Sequence, residues 1–269
     1  MTQAERLNFL IEYLISENKE LKSFRGKSFF HGRFFFHIPV EENARKRLLR
    51  SLMNIRPPKP VTKDFLNIQD EYLQGGKTEK GMISLADIPF VKSGIYLWQG
   101  DITRLSVDAI VNAANSAMLG CFVPCHGCID NAIHSAAGIE LRLECSRIME
   151  KQKTEEPAGK AKITKAYNLP CRYVLHTVGP MIYGEVTQRD CKLLSDCYRS
   201  CLELAAEYQL KSIAFCCIST GEFHFPNEAA AKIAIQTVKD YQKKNPGDME
   251  VIFNVFKDCD YKIYKQLLG

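Results

Sequence analysis

Apolar residues near the start of the chain recur at helical spacing. One stripe lies within residues 5–21, where five aliphatic side chains share a helical face: Leu7, Leu10, Ile11, Leu14 and Ile15. A second helical pattern spans residues 41–53 and ends before Pro57, because proline lacks an amide donor and restricts its predecessor. Residues 61–92 show no clear period, which predicts irregular chain with loops at Gly75, Gly76 and Gly81.

From Gly94 onward, short apolar runs alternate with amphipathic segments. The runs typical of buried strands cover residues 95–98, 109–111, 173–177, 213–218 and 251–256. Helical patterns cover residues 129–151, 190–208, 227–241 and 261–268. This alternation indicates an α/β domain with a largely parallel sheet and helices on both faces. We place it at residues 91–269 and expect residues 1–90, a mainly helical N-terminal extension, to pack on it.

Composition narrows the class of protein. The 269 residues are 46% hydrophobic and 25% charged, which suits a globular chain with a sizeable core. The net charge of +5 forms no concentrated patch, and the basic, aromatic residues 25–37 lack the signature of an RNA-recognition motif, so we expect no nucleic-acid partner. No signal-peptide pattern and no apolar run of transmembrane length is present. We expect a cytoplasmic protein without a membrane partner.

The cysteines point to metal chemistry more than to disulfides. All eleven lie at or after Cys121, an odd number without secretory context, and most occupy apolar runs typical of buried thiols. Cys121, His126 and Cys128 form a C-x4-H-x-C pattern, and two thiolates with one imidazole suit tetrahedral Zn²⁺. Three ligands leave one position open, as in catalytic sites, whereas a fourth from Cys125 would close it. Adjacent residues seldom reach the same ion without strain, so we expect Cys125 not to be a ligand. Coincidence in a cysteine-rich chain is the alternative.

Polar residues follow the predicted strands. An Asn-Ala-Ala-Asn turn ends at Asn115, and Asp130 opens a predicted helix. Asp101 lies just beyond another strand. Backbone amides of a loop between a buried strand and a helix form a ready anion site. That loop comprises Ser219, Thr220, Gly221, Glu222, Phe223, His224 and Phe225. On residue type alone, turn formation by Asn115 and Asp101 and N-capping by Asp130 are alternatives to ligand binding.

Four stretches carry a family resemblance: GDITRLSVDAIVNAAN, DNAIHSAAG, AGKAKITKAYNLPCRYVLHTVGP and ISTGEFHFPNEAAAKIA. Together they resemble a macrodomain, the ADP-ribose-binding fold, over about residues 94–269. The insertion LGCFVPCHGCIDN resembles that of the zinc-containing macrodomains, a group of ADP-ribosylhydrolases that also carry an N-terminal extension. Two features depart from the family pattern. His224 stands where glycine is usual, and the zinc loop replaces a Gly-rich run.

The resemblance implies a role for each site residue. Asp101 would accept a hydrogen bond from the adenine amino group, with the Ile102 backbone assisting. Asn115 and Asp130 would approach the distal ribose, whose anomeric bond is cut, and Phe225 would stack on that sugar. The diphosphate would lie on the loop that begins at Ser219, and one Zn²⁺ ion would be bound by Cys121, His126 and Cys128.

These roles imply a zinc-dependent hydrolase that removes mono-ADP-ribose from modified proteins. Its partners would be ADP-ribose and an ADP-ribosylated protein substrate, and relatives also imply a sirtuin-like ADP-ribosyl transferase. Two other hypotheses use the same residues. In one, the pocket reads ADP-ribose without turnover; in the other, the zinc only braces its loop.

Overall fold

The structure, a computed structural model, describes residues 1–18, 38–92 and 94–269. Three helices come first: α1 (Gln3–Glu17), α2 (Glu42–Ile55) and α3 (Lys63–Lys80). The prediction of irregular chain over residues 61–92 is therefore wrong. Thr62 starts α3 by accepting a hydrogen bond from the Phe65 amide, and Gly81 ends it, whereas two other glycines lie inside the helix. The basic, aromatic residues 25–37 lie outside the described residues.

The remainder of the described chain alternates strands and helices. The strands are β1 (Ile83–Ser84), β2 (Phe90–Lys92), β3 (Ile95–Gln99), β4 (Leu105–Ser106), β5 (Ala109–Ala113), β6 (Ala161–Lys165), β7 (Tyr173–Thr177), β8 (Ser212–Phe215) and β9 (Glu250–Val255). The helices are α4 (Ile129–Ala137), α5 (Ile139–Gln152), α6 (Gln188–Glu207), α7 (Asn227–Lys244) and α8 (Asp258–Leu268).

Seven of the described strands form one mixed sheet in the order β2-β3-β9-β8-β5-β7-β6. The pairs from β3 through β7 are parallel, and the edge strands β2 and β6 are antiparallel. Strand β5 lies near the centre, where Ala109, Ile110 and Val111 are fully buried, as expected for a strand covered on both faces. The predicted α/β class, with a largely parallel sheet between helices, is confirmed.

Two details differ from the sequence pattern. The edge strands β2 and β6 were not predicted, because each is short and carries lysine among its apolar residues. The helix predicted over residues 129–151 is two helices, because Gly138 between them has φ of +94°. A Cβ at that glycine would also lie 2.6 Å from Nε2 of Gln69, so the break depends on a residue that lacks one.

The N-terminal helices pack on the sheet domain through α5. Their own hydrophobic cluster includes Ile139, the first residue of that helix. Gln69 of α3 accepts a hydrogen bond of 2.9 Å from the Ile139 amide, one of the donors that a helix N-terminus leaves unpaired. The boundary near residue 90 stays a prediction. Across the ranges that the structure describes, no helix is long and apolar enough to cross a membrane.

One carboxylate ties together the starts of three central strands. Asp108, just before β5, accepts hydrogen bonds at Oδ2 from the amides of Lys211 (2.7 Å) and Ser212 (3.1 Å). Its Oδ1 accepts from the Arg172 guanidinium at 3.1 Å. Burial alone would raise the pKa of Asp108, but these bonds to the charged form outweigh it and lower the pKa on balance.

We expect Asp108→Asn to lower the free energy of unfolding by about 1–2 kcal/mol at neutral pH, because hydrogen bonds to a carboxylate are lost. Since the folded pKa lies below the unfolded value of about 3.9, this contribution is present above that value and disappears as pH falls through the folded pKa. Urea unfolding at pH 7 and pH 3 checks this. Asp248→Asn, at an exposed aspartate, is the matched control, and an equal loss at both pH values would contradict the account.

Candidate active site with a Cys/His cluster

One cleft of about 540 Å³ opens at the carboxyl ends of the parallel strands. Chain that follows five strands lines it, which is where ligands of such sheets bind, and β7 is represented by Gly179. The loop after β3 contributes Asp101 and Ile102, and the loop after β5 contributes Asn115 and the segment that leads into α4. The loop after β8 contributes residues 219–223, and the chain after β9 contributes its first residues. The residues with predicted chemistry therefore lie in one place, with one exception described below.

A buried carboxylate lies at the centre of this cleft. Asp130 is only 5% exposed. Its Oδ1 accepts a hydrogen bond of 2.8 Å from Nδ2 of Asn112, and Nδ2 of Asn115 lies 3.4 Å from its Oδ2. Asn112 makes the first contact. It lies near the end of the buried strand β5, which pairs in parallel with β7 and β8. Two amides therefore hold the carboxylate in one orientation.

Asp130 does not cap its helix. The N-cap of α4 is Cys128, whose sulfur accepts from the Asn131 amide at 3.4 Å, and Asp130 is the second helical residue. Burial raises the pKa of Asp130 to about 6, although the Asn112 hydrogen bond and the charge of Arg142 act in the opposite direction. The capping interpretation is wrong. An aspartate kept buried without a full ion pair is typical of functional sites.

Asn112 is itself held by a buried histidine. Its Nδ2 lies 3.2 Å from Nδ1 of His176 on β7, and Nε2 of that ring lies 2.9 Å from the Thr164 hydroxyl. Burial lowers the pKa of His176 to about 3, so the ring is neutral. His176, Cys145 and His134 also have side-chain N and S atoms within 4.8 Å of one another. Because both nitrogens of His176 face hydrogen-bonding partners, we interpret this buried group as structural support for Asn112.

Two polar atoms in the cleft are available to a ligand. Oδ1 of Asn115 and Oγ of Ser219 are buried and have no hydrogen-bond partner among the described residues. Both residues line the cleft. Buried polar groups without partners are uncommon in native proteins, so a bound molecule with hydroxyl or other polar groups would satisfy them.

The loop after β8 has the backbone shape of an anion site. The amide of Phe225 donates to the Ser219 carbonyl at 2.9 Å, and the amide of His224 donates to the Gly221 carbonyl at 3.0 Å. His224 has φ of +56°, in the region that favours glycine, which explains why glycine is usual at this position in the resembled family. The amides of residues 221–223 have no acceptor among the described residues. They are free to bind phosphate oxygens.

The exception is Phe225, which the structure does not place in the cleft. Its ring is 1% exposed and belongs to the hydrophobic core, so neither face is available to stack on a sugar. Phe223, two residues earlier, lines the cleft instead. The predicted assignment needs this correction because the loop turns between the two rings, and the sequence does not show which ring points inward.

Asp101 combines a turn role with an open oxygen. Its Oδ1 accepts from the Thr103 amide at 3.0 Å and from the Thr103 hydroxyl at 2.7 Å, which caps a short 3₁₀ turn. Its Oδ2 makes no hydrogen bond to any residue that the structure describes, and Asp101 lines the cleft beside Ile102. Capping and ligand binding are thus compatible here, one oxygen for each.

The three predicted metal ligands also line this cleft, and they lie close together. The ligand atoms of Cys121, His126 and Cys128 lie within 4.8 Å of one another, and Sγ of Cys121 is 3.6 Å from Nδ1 of His126. Tetrahedral zinc, with Zn–S and Zn–N bonds of about 2.3 and about 2.0 Å, holds sulfur and nitrogen about 3.5 Å apart. Nε2 of His126 lies 3.6 Å from the Glu222 carboxylate, the type of partner that metal-binding histidines have. The donor set fits Zn²⁺.

Cys125 points away from this cluster. Its sulfur donates to the Arg47 carbonyl at 3.3 Å and lies 3.2 Å from the Ser51 hydroxyl, both on α2. Its backbone, with φ of +51°, turns the side chain toward that helix. Three ligands with a fourth position left to a non-protein group is the arrangement of catalytic zinc sites.

The sequence analysis assigns no role to Asn112 or to Arg142. Asn112 lies in the recognised polar turn, so its part could have been inferred from the turn. Arg142 could not: its guanidinium donates to the Leu119 carbonyl at 2.6 Å and stacks 4.3 Å over the Phe122 ring, across more than one element. The contacts that α2 makes with the loop of the Cys/His cluster could not be inferred either, because α2 lies far from that loop along the chain.

The fold and the site together define an α/β domain whose sheet-edge cleft joins a buried aspartate, a loop with unpaired backbone amides and a Cys/His cluster. A profile described as "Macro domain" matches residues 111–234. A protein named "Protein-ADP-ribose hydrolase" from Treponema medium is 55% identical over 273 residues and covers 100% of both chains. One of the same name from Staphylococcus aureus (strain MSSA476) is 48% identical over 81% of this chain and 83% of that protein.

Solved structures agree with these sequence matches. A Trypanosoma brucei macrodomain in complex with ADP-ribose superposes with a TM-score of 0.64 at 31% identity, covering 81% of this chain and 95% of that chain. The chain belongs to the macrodomain family.

The direction of the Cys125 side chain gives a prediction about metal content. We expect the wild-type protein to retain zinc after dialysis and Cys128→Ser to lose most of it, because a predicted ligand is removed. Cys125→Ser should retain it, since serine can still donate to the Arg47 carbonyl. Elemental analysis of both purified variants checks this. Zinc loss in Cys125→Ser alone would show that Cys125 is a ligand.

Proposed function

We propose that this protein is a zinc-dependent hydrolase that removes mono-ADP-ribose from modified proteins. One observation carries the proposal: the buried Asp130 carboxylate and the Cys121–His126–Cys128 cluster line the same cleft, on loops that also present an anion site. Relatives of which this chain covers most or all of the length are named protein-ADP-ribose hydrolase, which supports the reaction. The Trypanosoma brucei macrodomain with bound ADP-ribose supports the ligand.

In this proposal ADP-ribose spans the cleft. The free Oδ2 of Asp101 accepts from the adenine amino group, with the Ile102 backbone beside it. The loop that begins at Ser219 binds the diphosphate through backbone amides. The distal ribose then lies against Asn115 and Asp130. Phe223, which lines the cleft, replaces Phe225 as the aromatic neighbour of that sugar.

Sγ of Cys121, a ring nitrogen of His126 and Sγ of Cys128 would hold the ion. Zinc would supply Lewis acidity at this end of the cleft, either by polarising a ribose or acceptor oxygen or by acidifying a water. Burial raises the pKa of the Cys128 thiol to about 12, which favours the neutral thiol. A bound cation would favour the thiolate instead. We place the ion beside the distal ribose because His126 and Cys128 lie on the loop that leads directly into Asp130 at the start of α4.

Asp130 acts on the attacking water or on a ribose hydroxyl. Hydrolysis forms a bond from water oxygen to the anomeric carbon, breaks the bond to the protein acceptor, and transfers a proton to that acceptor. Positive charge grows on the ribose as the bond breaks, and a carboxylate beside it stabilises that charge and orients the nucleophile. Asn115 fixes the sugar, because its Nδ2 is engaged by Gly120 and Asp130 while its Oδ1 is free.

The partners of this reaction are ADP-ribose and an ADP-ribosylated protein. The cytoplasmic location and the pairing with a sirtuin-like ADP-ribosyl transferase stay predictions of the sequence.

The test uses a mono-ADP-ribosylated protein and measures free ADP-ribose. We expect release that stops when a chelator removes zinc and returns when zinc is restored, while circular dichroism stays constant. Release that is unchanged after metal removal would exclude zinc from the reaction. Binding of ADP-ribose without any release, with or without zinc, would make the protein a reader.

A second prediction concerns Asp130. We expect Asp130→Asn to slow release by about 10²-fold or more, because water and ribose lose their carboxylate, while ADP-ribose affinity changes only a few-fold. Asparagine keeps the shape, and removing a buried charge offsets the loss of one of the two hydrogen bonds that the carboxylate accepts, so the melting temperature should change little. Single-turnover assays, calorimetry with ADP-ribose and thermal unfolding separate these effects. Equal losses of activity and stability would reduce Asp130 to a structural role.

A further inference from the structure

The loop that carries the metal ligands has little structure of its own. Residues 119–128 contain neither helix nor strand. Within the loop the described contacts are one backbone hydrogen bond, from the His126 amide to the Val123 carbonyl at 3.2 Å, and the side-chain contacts of Cys121 with His126 and Cys128. A segment with so few internal bonds does not fix three ligand atoms by itself, so its shape depends on what surrounds it.

Helix α2 of the N-terminal extension supplies much of that surrounding. The guanidinium of Arg50 donates to the His126 carbonyl at 3.1 Å through Nη2. The same group donates to Oδ1 of Asn131 through Nε (3.1 Å) and Nη2 (2.6 Å). Asn131 is fully buried, and its Nδ2 donates to the Val123 carbonyl at 2.9 Å. One arginine thus bridges the loop and the first turn of α4.

Asn54, one turn further along α2, makes a second bridge. It is 1% exposed, and its Oδ1 accepts from the Cys125 amide at 2.9 Å, while its Nδ2 donates to the Ser135 hydroxyl at 2.9 Å. The Cys125 thiol, between two of the ligands, donates to the Arg47 carbonyl on the same helix. The middle of the loop is therefore anchored to α2 at Cys125 and, through Arg50, at His126.

Arg142 fixes α2 relative to the start of the loop. Its Nη1 donates to the carbonyls of Met53 (2.9 Å), Asn54 (2.9 Å) and Arg56 (2.6 Å), groups that a helix C-terminus leaves unpaired. Its Nε donates to the Leu119 carbonyl. Arg142 therefore holds both the end of α2 and Leu119, the residue at which the loop begins.

We propose that the N-terminal extension is part of the metal site: Arg50 and Asn54 of α2 hold residues 119–128 in the conformation that gathers the three ligands, with Arg50 as the principal positioning residue. This inference rests on the metal site of the proposed function. It assigns the extension a chemical task, which is to determine the affinity and geometry of metal binding without contributing a ligand.

The test compares Arg50→Ala with Arg47→Ala, a matched control on the same helix. The Arg47 side chain is exposed, and alanine preserves the backbone carbonyl that accepts from Cys125. Because partners of metal ligands contribute about 10- to 100-fold to affinity, we expect Arg50→Ala to weaken zinc binding by that factor in chelator competition and the control to stay within about twofold. Arg50→Lys keeps the charge but loses the paired donors of the guanidinium, so its zinc affinity should lie between those of the wild-type protein and Arg50→Ala.

Two further measurements do not depend on activity. Co²⁺ bound to the wild-type protein should show the intense visible bands of a tetrahedral thiolate site, and these should weaken in Arg50→Ala. In metal-free protein, hydrogen exchange at the amides of residues 121–128 should quicken in Arg50→Ala and not in the control. ADP-ribose affinity and the melting temperature report whether the fold persists, and Arg50→Lys replaces the alanine variant if it does not.

The outcomes separate this inference from the proposed function. Wild-type zinc affinity, cobalt spectrum and loop exchange in both Arg50 variants would overturn the positioning role, whatever the reaction proves to be. A wild-type protein that binds neither zinc nor cobalt would overturn the metal site, and with it the role of Arg50 in metal binding. Faster loop exchange in Arg50→Ala would then show only that α2 orders the loop.

Discussion

The parallel pairing of β5 with β7 and β8 is the constraint on which the rest of the site depends. Because parallel strands run the same way, the loops that follow them emerge at one edge of the sheet. That edge receives the turn after β5 and the loop after β8, although more than a hundred residues separate them. Asp108 joins the opposite ends of the same strands, so the register that positions the cleft is anchored at the strand starts.

Burying the Asp130 carboxylate costs free energy, because the charged group loses its contact with water. Asp130 has no full ion pair among the described residues. The amides of Asn112 and Asn115 and the charge of Arg142 offset its loss of water, and His134 lies 3.5 Å away. The support for Asn112 extends through His176 to Thr164. In the proposed reaction, a carboxylate held in this orientation would face the sugar on which positive charge develops.

The metal cluster depends on a different part of the chain. Its ligands lie on one short loop, but the contacts that shape the loop come from α2 and from Arg142. The extension and the sheet domain thus meet at the point where the proposed chemistry occurs. A residue in α2 can matter to the site as much as one in the motifs, since a loop with few internal bonds takes its shape from its neighbours.

Local patterns in the sequence determined the fold class, the central strands and the spacing of Cys121, His126 and Cys128, because hydrophobic periodicity and ligand spacing are properties of neighbouring residues. They failed at α3, whose burial against α1 overrides its two glycines, and at Phe225, whose direction depends on how a loop turns. Only tertiary structure decided that Cys125 faces α2, that Asp130 faces Asn112 instead of capping its helix, and that Arg50 reaches the metal loop. These contacts join residues distant in sequence, and no local pattern encodes which distant residue will lie opposite.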